Sequence, residues 1–344
     1  QAEDGIRDCL LSRGLGDVYK RQVFPMFRCN TIFEGEYLLG TAIARPLIAK
    51  KLVEIGKLEG TNIICHGATG KGNDQIRFEI GAHALNKNIK VIAPWREWDM
   101  VSRTDLMSYC KTHQIPMPAS KAEEPPFSMD ENLLHISYEG GVLEDLKNSP
   151  PEEMWLNTKS LEKASETSEE VSIEFSEGDP VAINNKKLPP AEIFRTLNTI
   201  GSKHGIGRID IVESRVTGMK SRGCYETPGG TILLKTRRAM ESLCLSGKEI
   251  KAKDNLIPEY AALIYEGLWW SNKRLEIQDK VNSISKKVSG KVSVKLYKGN
   301  IISVSKESLN SLYDENKVSF EEQGGFSNED MQSHIEKNIL DFDN

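Results

Sequence analysis

The residues best suited to chemistry lie in one stretch, Cys65-His66-Gly67-Ala68-Thr69-Gly70-Lys71-Gly72-Asn73-Asp74-Gln75-Ile76-Arg77-Phe78-Glu79. Gly67, Gly70 and Gly72 leave the backbone free to take positive φ and to approach a ligand closely. N–H groups at the start of a helix point at whatever precedes it, and the helix dipole favours a negative group there, so this turn suits phosphate or carboxylate. Asn73 is a favourable N-cap, and Arg77, one turn on, shares its face and points back toward the loop. Gly70-Lys71 looks like the tail of a Walker A loop. That reading fails, because Cys65 stands where the first glycine is required and Gly72 where the Mg²⁺-binding Ser or Thr belongs. A glycine-rich turn can also be a plain strand-to-helix connection. Such a turn does not need Thr69, Asn73, Asp74 and Arg77 crowded at one helix start. Asp74 and Arg77, three apart, also fit a simple helix ion pair worth about 0.2–0.5 kcal/mol.

The elements that must position these residues follow from local pattern. Thr61 to Ile64 reads as a buried strand, and Asp74–Leu85 as a helix with Ile76, Ile80 and Ala84 spaced four apart. Residues 37–60 read as a loop and a helix, with Pro46 near its first turn, an apolar face of Ile48, Leu52 and Ile55, and Gly60 closing it. A second strand at 89–93 completes a parallel βα repeat whose ligand site lies at the carboxyl end of the first strand. Trp95 and Trp98 are read as packing residues rather than a base-stacking platform. Ser102 and Asp105 predict a capping box for a helix to about His113. Pro116, Pro118, Pro125 and Pro126 mark a linker with a domain boundary near residue 122. Beyond it the pattern is α+β: strands at 171–175, 181–183 and 208–213, and a helix over Pro190–Lys203. Residues 218–230 are expected as a binding loop, and 291–296 pairs with 301–304 as a hairpin turning at Gly299-Asn300. Asn328–Phe342 reads as an amphipathic helix through Met331, Ile335 and Ile339, while Glu166, Glu169 and Glu170 mark a solvated loop.

Composition narrows the class. A chain of 344 residues suggests two domains, and 38% hydrophobic with 28% charged residues fits a folded globular protein. No run approaches the roughly 18 apolar residues of a membrane span. The net charge of -5 argues against nucleic acid as a partner. Six cysteines and six histidines are scattered without ligand spacing, so no disulfide framework or structural metal is expected, and reduced cytosolic thiols are the default.

At the glycine-rich stretch the chain resembles the argininosuccinate synthetase family, which carries a near-identical His-Gly-Ala-Thr-Gly-Lys-Gly-Asn-Asp-Gln-x-Arg-Phe-Glu block. The resemblance extends through Tyr37 to Pro46, Val91 to Arg96, Ser128 to Leu133, His135 to Glu139, Gly205 to Glu213 and Gly218 to Pro228, covering nearly everything after Val23. It implies an α/β fold: a parallel-sheet nucleotide-binding domain of the adenine nucleotide alpha hydrolase (PP-loop) type over 23–122, an α+β synthetase domain over 123–310, and a tail over 311–344 that assembles a homotetramer. The implied reaction is cytoplasmic, ATP-dependent condensation of L-citrulline with L-aspartate, giving argininosuccinate, AMP and diphosphate, with Mg²⁺ arriving on the ATP phosphates.

By the same resemblance, citrulline is held by Tyr37, Asn73, Arg77, Ser128, Ser137, Glu213 and Tyr225. Arg77 suits its carboxylate and Glu213 its ammonium. Aspartate falls to Thr69, Asn73 and Asp74, and ATP to Cys65, His66, Gly67, Ala68, Thr69, Gly70, Lys71, Gly72 and Asn73. Ala42 stands where the family often has serine, which removes one citrulline contact. The family's first strand and its Ser-Gly-Gly-x-Asp-Thr-Ser pyrophosphatase loop belong before Val23, and no such motif occurs in the sequence. Residues 1–22 match nothing in the family and read as a non-native extension resembling sequencing-adapter read-through. The chain as written is therefore expected to be inactive or nearly so although its full-length parent is an enzyme, the alternative being a non-catalytic amino-acid- or nucleotide-binding fragment.

Overall fold

The computed structural model describes residues 19–69, 72–100, 102–116, 127–318 and 328–342. Strand β1 (Ile63–Cys65) runs parallel to β2 (Lys90–Ile92), with Ile64 opposite Val91, and the Asp74–Leu85 helix connects them; only Ile64 of β1 is buried, so the buried strand expected over 61–64 is largely exposed. This helix packs on the Gly40–Leu58 helix through small residues. A Cβ placed on Gly81 would come within 3.3 Å of that of Ala49. The buried faces are therefore Ala42, Ile43, Pro46, Ala49 and Gly56 on one helix and Gly81 and Ala82 on the other. This corrects two sequence expectations: Ile48 and Ile55 are 40% and 54% exposed, and Ala84 lies on the surface. Alanine and glycine bring backbones close but contribute little to an apolar pattern. Pro46 lies well inside its helix rather than in the first turn. Gly60 takes φ 69° after the last turn and closes it as expected. Ser102 and Asp105 form the capping box, on a helix spanning Arg103–Thr112. Trp98 is 49% exposed, so its assignment to packing fails. The boundary expected near 122 lies outside the described residues.

Nine further strands follow: β3 (Ser128–Glu131), β4 (Ile136–Glu139), β5 (Glu169–Ser176), β6 (Asp179–Ile183), β7 (Lys186–Lys187), β8 (Arg208–Ser214), β9 (Lys220–Glu226), β10 (Gly290–Tyr297) and β11 (Asn300–Glu307). They form two antiparallel sheets, ordered β3-β4-β9-β8 and β11-β10-β5-β6-β7. The expected loop over 218–230 is instead strand β9 and the start of the Pro228–Cys244 helix, because its charged residues sit on a sheet surface where Arg222 pairs Asp210 at 2.7 Å. Glu169 and Glu170 open β5 rather than a loop, with Glu169 accepting from Lys203 at 2.6 Å. The β10–β11 turn is Lys298-Gly299, both with positive φ, and Asn300 already pairs with Tyr297.

One large apolar cluster unites Val23 to Ile43 with the Pro190–Lys203 and Pro228–Cys244 helices and with β5 and β10. Phe24 and Phe27 lie 6.2 and 5.5 Å from Phe194. The Gly247–Asp254, Ile257–Tyr265 and Asn272–Ser285 helices, which sequence pattern did not mark, pack around it. Beside the cluster lies a fully buried charged knot. Glu241 forms ion pairs with Arg237 at 3.0 Å and Lys253 at 3.2 Å, and accepts a hydrogen bond from the Asn30 carboxamide at 2.5 Å. The Asn328–Phe342 helix forms as expected, with Met331, Ile335 and Ile339 exposed.

Candidate functional site

The segment after β1 turns toward the four-stranded sheet, and the two enclose a cavity of about 300 Å³. Its lining brings together all seven citrulline candidates, Tyr37, Asn73, Arg77, Ser128, Ser137, Glu213 and Tyr225, with the three aspartate candidates Thr69, Asn73 and Asp74. Of the nucleotide candidates, Gly67, Ala68, Thr69, Gly72 and Asn73 also line it, while Cys65 and His66 do not. His66 is turned inward, its ring between Glu79 (3.2 Å) and the Ala68 N–H (3.3 Å) and stacked on Phe78. Gly70 and Lys71 lie outside the described residues. Ala42 is buried and does not reach the cavity.

The sheet supplies one wall by register. Ser137 of β4 faces Tyr225 of β9, and Tyr225 faces Ile209 of β8, so Tyr225, Gly223, Ile211 and Glu213 fall on one side. Tyr225 lies along the strand and donates to Glu213 Oε1 at 2.9 Å. It can do so because Gly223 has no side chain: a Cβ there would sit 2.4 Å from the Tyr225 hydroxyl oxygen. Tyr37 stacks on Tyr225 with centroids 4.4 Å apart, and His135 stacks on Tyr225 at 5.6 Å. Burial, with Arg45 and Arg77 nearby, pushes the His135 pKa down to about 3, so it is a neutral ring that meets Thr41 Oγ1 at 2.8 Å. Glu213 is 8% exposed, and its Oε2 has no hydrogen-bond partner among the described residues. Burial raises its carboxyl above the ordinary range against the pull of Tyr225, Arg77 and Tyr265.

The opposite wall is the start of the Asp74–Leu85 helix. Asn73 is not the side-chain cap that the sequence predicts; its Nδ2 donates to the Tyr265 hydroxyl at 3.0 Å and its Oδ1 accepts from Val216 N at 3.2 Å. Arg77, 4% exposed, donates through Nε to the Tyr265 carbonyl at 2.8 Å and through Nη1 to Asp74 at 3.0 Å. Asp74 also receives Arg45, whose Nη2 reaches Asp130 as well. Burial opposes ionisation of Asp74, yet Arg45 and Arg77 outweigh it and hold the carboxyl below its usual range. The pair at 74 and 77 is thus one link of a charge chain rather than a lone helix pair. Tyr265 and Arg45 were missed by sequence reasoning. Arg45 lies within a segment that carries the resemblance, whereas Tyr265 has no local signal. Behind the helix start, Gly267 has φ 82°, and a Cβ there would come within 2.8 Å of Arg77 Cα. Gly267→Ala is expected to lose at least about 1–2 kcal/mol from the left-handed backbone alone, read as a lowered melting temperature.

The cavity sets Arg77 and Arg215 among the carboxylates of Asp74, Glu139 and Glu213, beside the segment that follows β1. Two family descriptions match the chain: the arginosuccinate synthase N-terminal HUP domain over residues 14–116, which corrects the expectation that all of 1–22 lies outside the family, and the arginosuccinate synthase C-terminal domain over 127–343. The chain belongs to the argininosuccinate synthase family. Argininosuccinate synthase of Helicobacter hepaticus is 56% identical over 320 residues, 93% of this chain and 79% of its own length. Those of Ectopseudomonas mendocina, at 54% over 319 residues, and Nitratiruptor sp., at 55% over 320, also align along 79% of their lengths. The architecture is accordingly a HUP domain followed by the synthetase domain of argininosuccinate synthases, mixed α/β with a parallel sheet. Among the described residues, no helix is long and apolar enough to cross a membrane, and no group of three His, Cys, Asp or Glu is placed to hold a metal.

Proposed function

We propose that the cavity binds L-citrulline and L-aspartate side by side for ATP-dependent ligation to argininosuccinate. The observation that carries this is the meeting of Arg77 and Glu213, from distant parts of the chain, in one small cavity with Asp74 and Thr69 beside them. Citrulline is a zwitterion at its α-carbon. The Arg77 Nη2, which makes no hydrogen bond to the described residues, suits its carboxylate, and the unpartnered Glu213 Oε2 suits its ammonium. Tyr37, Asn73, Ser128, Ser137 and Tyr225 supply the remaining polar contacts. Thr69, Asn73 and Asp74 take aspartate, and the backbone from Gly67 to Gly72 takes the nucleotide, whose phosphates carry Mg²⁺ as part of the substrate.

The ureido oxygen of citrulline is a poor leaving group, so it first attacks the α-phosphorus of ATP and diphosphate departs. The aspartate amine then adds to the ureido carbon, AMP leaves with that oxygen, and the amine proton is lost. No protein nucleophile is required; the side chains position the reactants and stabilise developing charge. The exposed stripe of the Asn328–Phe342 helix supports self-association, with a homotetramer as the proposed state and the cytoplasm as the proposed compartment.

The test is calorimetric titration with citrulline across a pH series. Glu213 must be ionised to receive the ammonium, and its carboxyl lies above the usual glutamate range. Affinity is therefore expected to fall as pH drops, with a midpoint above 4.5, the ordinary value for the group, and Glu213→Gln should flatten that dependence. Pronounced citrulline affinity that ignores both pH and Glu213→Gln would remove Glu213 from the site.

A further inference from the structure

We propose that Tyr265 is the positioning residue of the amino-acid site: it reaches over from the second half of the chain and sets the orientation of Arg77 and Asn73. The proposal rests on the reading of the cavity as a citrulline site. Tyr265 makes three separate contacts with the two side chains. Its carbonyl accepts Arg77 Nε at 2.8 Å, its ring lies 4.8 Å from the Arg77 guanidinium carbon, and its hydroxyl accepts Asn73 Nδ2 at 3.0 Å. The ring itself is held by Phe33, parallel within 3° at a centroid distance of 3.9 Å.

These contacts decide which atoms are left for a ligand. With Nε on Tyr265 and Nη1 on Asp74, the Arg77 guanidinium cannot rotate, and Nη2 is the nitrogen left to lead. A cation held on an aromatic face and a backbone carbonyl is fixed in plane and direction, so the remaining nitrogen meets a carboxylate oxygen at a set angle. Asn73 is fixed too. Val216 N–H can bond only to the carboxamide oxygen, so the nitrogen end must face Tyr265, and one N–H remains to offer. The site therefore presents donors, as an amino-acid carboxylate or a ureido oxygen requires.

The same hydroxyl acts on the other end of the ligand. Facing the Glu213 carboxyl are Tyr225 from β9, Arg77 from the Asp74–Leu85 helix, Tyr265 from the Ile257–Tyr265 helix and Glu139 from the end of β4. Tyr225, Arg77 and Tyr265 favour the carboxylate, and Glu139 opposes it.

Tyr265→Phe keeps the ring and the carbonyl and removes only the hydroxyl. By calorimetric titration, citrulline should bind roughly three- to tenfold more weakly at neutral pH, the range expected for one lost hydrogen bond. The acid midpoint of binding should also move upward, because the nearby Tyr265 hydroxyl no longer favours the Glu213 carboxylate; a residue that only fills space would leave that midpoint in place. Wild-type affinity and midpoint in a folded Tyr265→Phe variant, or weakening with an unmoved midpoint, would overturn the proposal. Should that variant melt early, Phe33→Leu leaves Tyr265 intact and removes only the stack beneath it. Weaker citrulline binding then supports the positioning role, and unchanged binding refutes it. A wild-type chain that takes up no citrulline would instead overturn the reading of the cavity, and this proposal with it.

Discussion

Arg77→Ala is expected to weaken citrulline binding by roughly ten- to a hundredfold, the consequence of losing a charge-assisted contact of about 1.5–3 kcal/mol. Arg77 is 4% exposed and already engaged by Asp74 and the Tyr265 carbonyl, so its charge is held away from bulk water and poorly screened. Titration calorimetry reads the affinity, and a melting curve alongside it separates loss of binding from loss of fold. Arg77→Lys is the informative companion, since a lysine keeps the charge but cannot serve the Tyr265 carbonyl, Asp74 and a carboxylate from one rigid plane. Unchanged affinity in folded Arg77→Ala would show that the cation does not meet the ligand.

The second large effect concerns stability. Glu241→Ala should cost about 3–5 kcal/mol, because it leaves the fully buried Arg237 without its counter-charge, and Lys253 with only Asp254 at 3.4 Å. Arg237 and Lys253 are both fully buried against Glu241, and the Asn30 carboxamide donates to it as well. Arg237 keeps its bonds to the Gly178 and Arg28 carbonyls and to Ser285 Oγ, but those are neutral partners. Denaturant unfolding checks the value. A loss under about 1 kcal/mol would mean that water or rearrangement replaces the carboxylate, as it does at exposed ion pairs.

How much of this was legible depended on whether the signal was local. Asp74–Leu85, Pro190–Lys203 and Asn328–Phe342 occupy the residues their sequence pattern predicts. Prolines, polar helix starts and apolar periodicity are properties of neighbouring residues, and they survive folding. The glycine-rich turn between a strand and a helix was legible for the same reason. The packing faces of the Gly40–Leu58 helix were not, because Ala49 and Gly81 are chosen for closeness rather than hydrophobicity. The Pro228–Cys244 helix escaped notice because it buries Arg237 and Glu241, residue types that read as surface. In the site, Arg77 and Glu213 were candidates only through the family resemblance; by local pattern alone they read as a helix ion pair and a strand-end carboxylate. The side-chain use of Asn73 was not, since both its partners lie far along the chain, at Val216 and Tyr265. No pattern around Tyr265 reveals a contact with residues nearly two hundred positions away.

That the cavity draws one wall from the helix after β1 and the other from β8 and β9 has a consequence for how the molecule behaves as a whole. Neither wall alone supplies the amino-acid site proposed above, so on that proposal ligand uptake and the closing of the seam between the walls are coupled. Whatever prises the seam apart discharges the ligand, and whatever fills the receptor acts as a rivet across it.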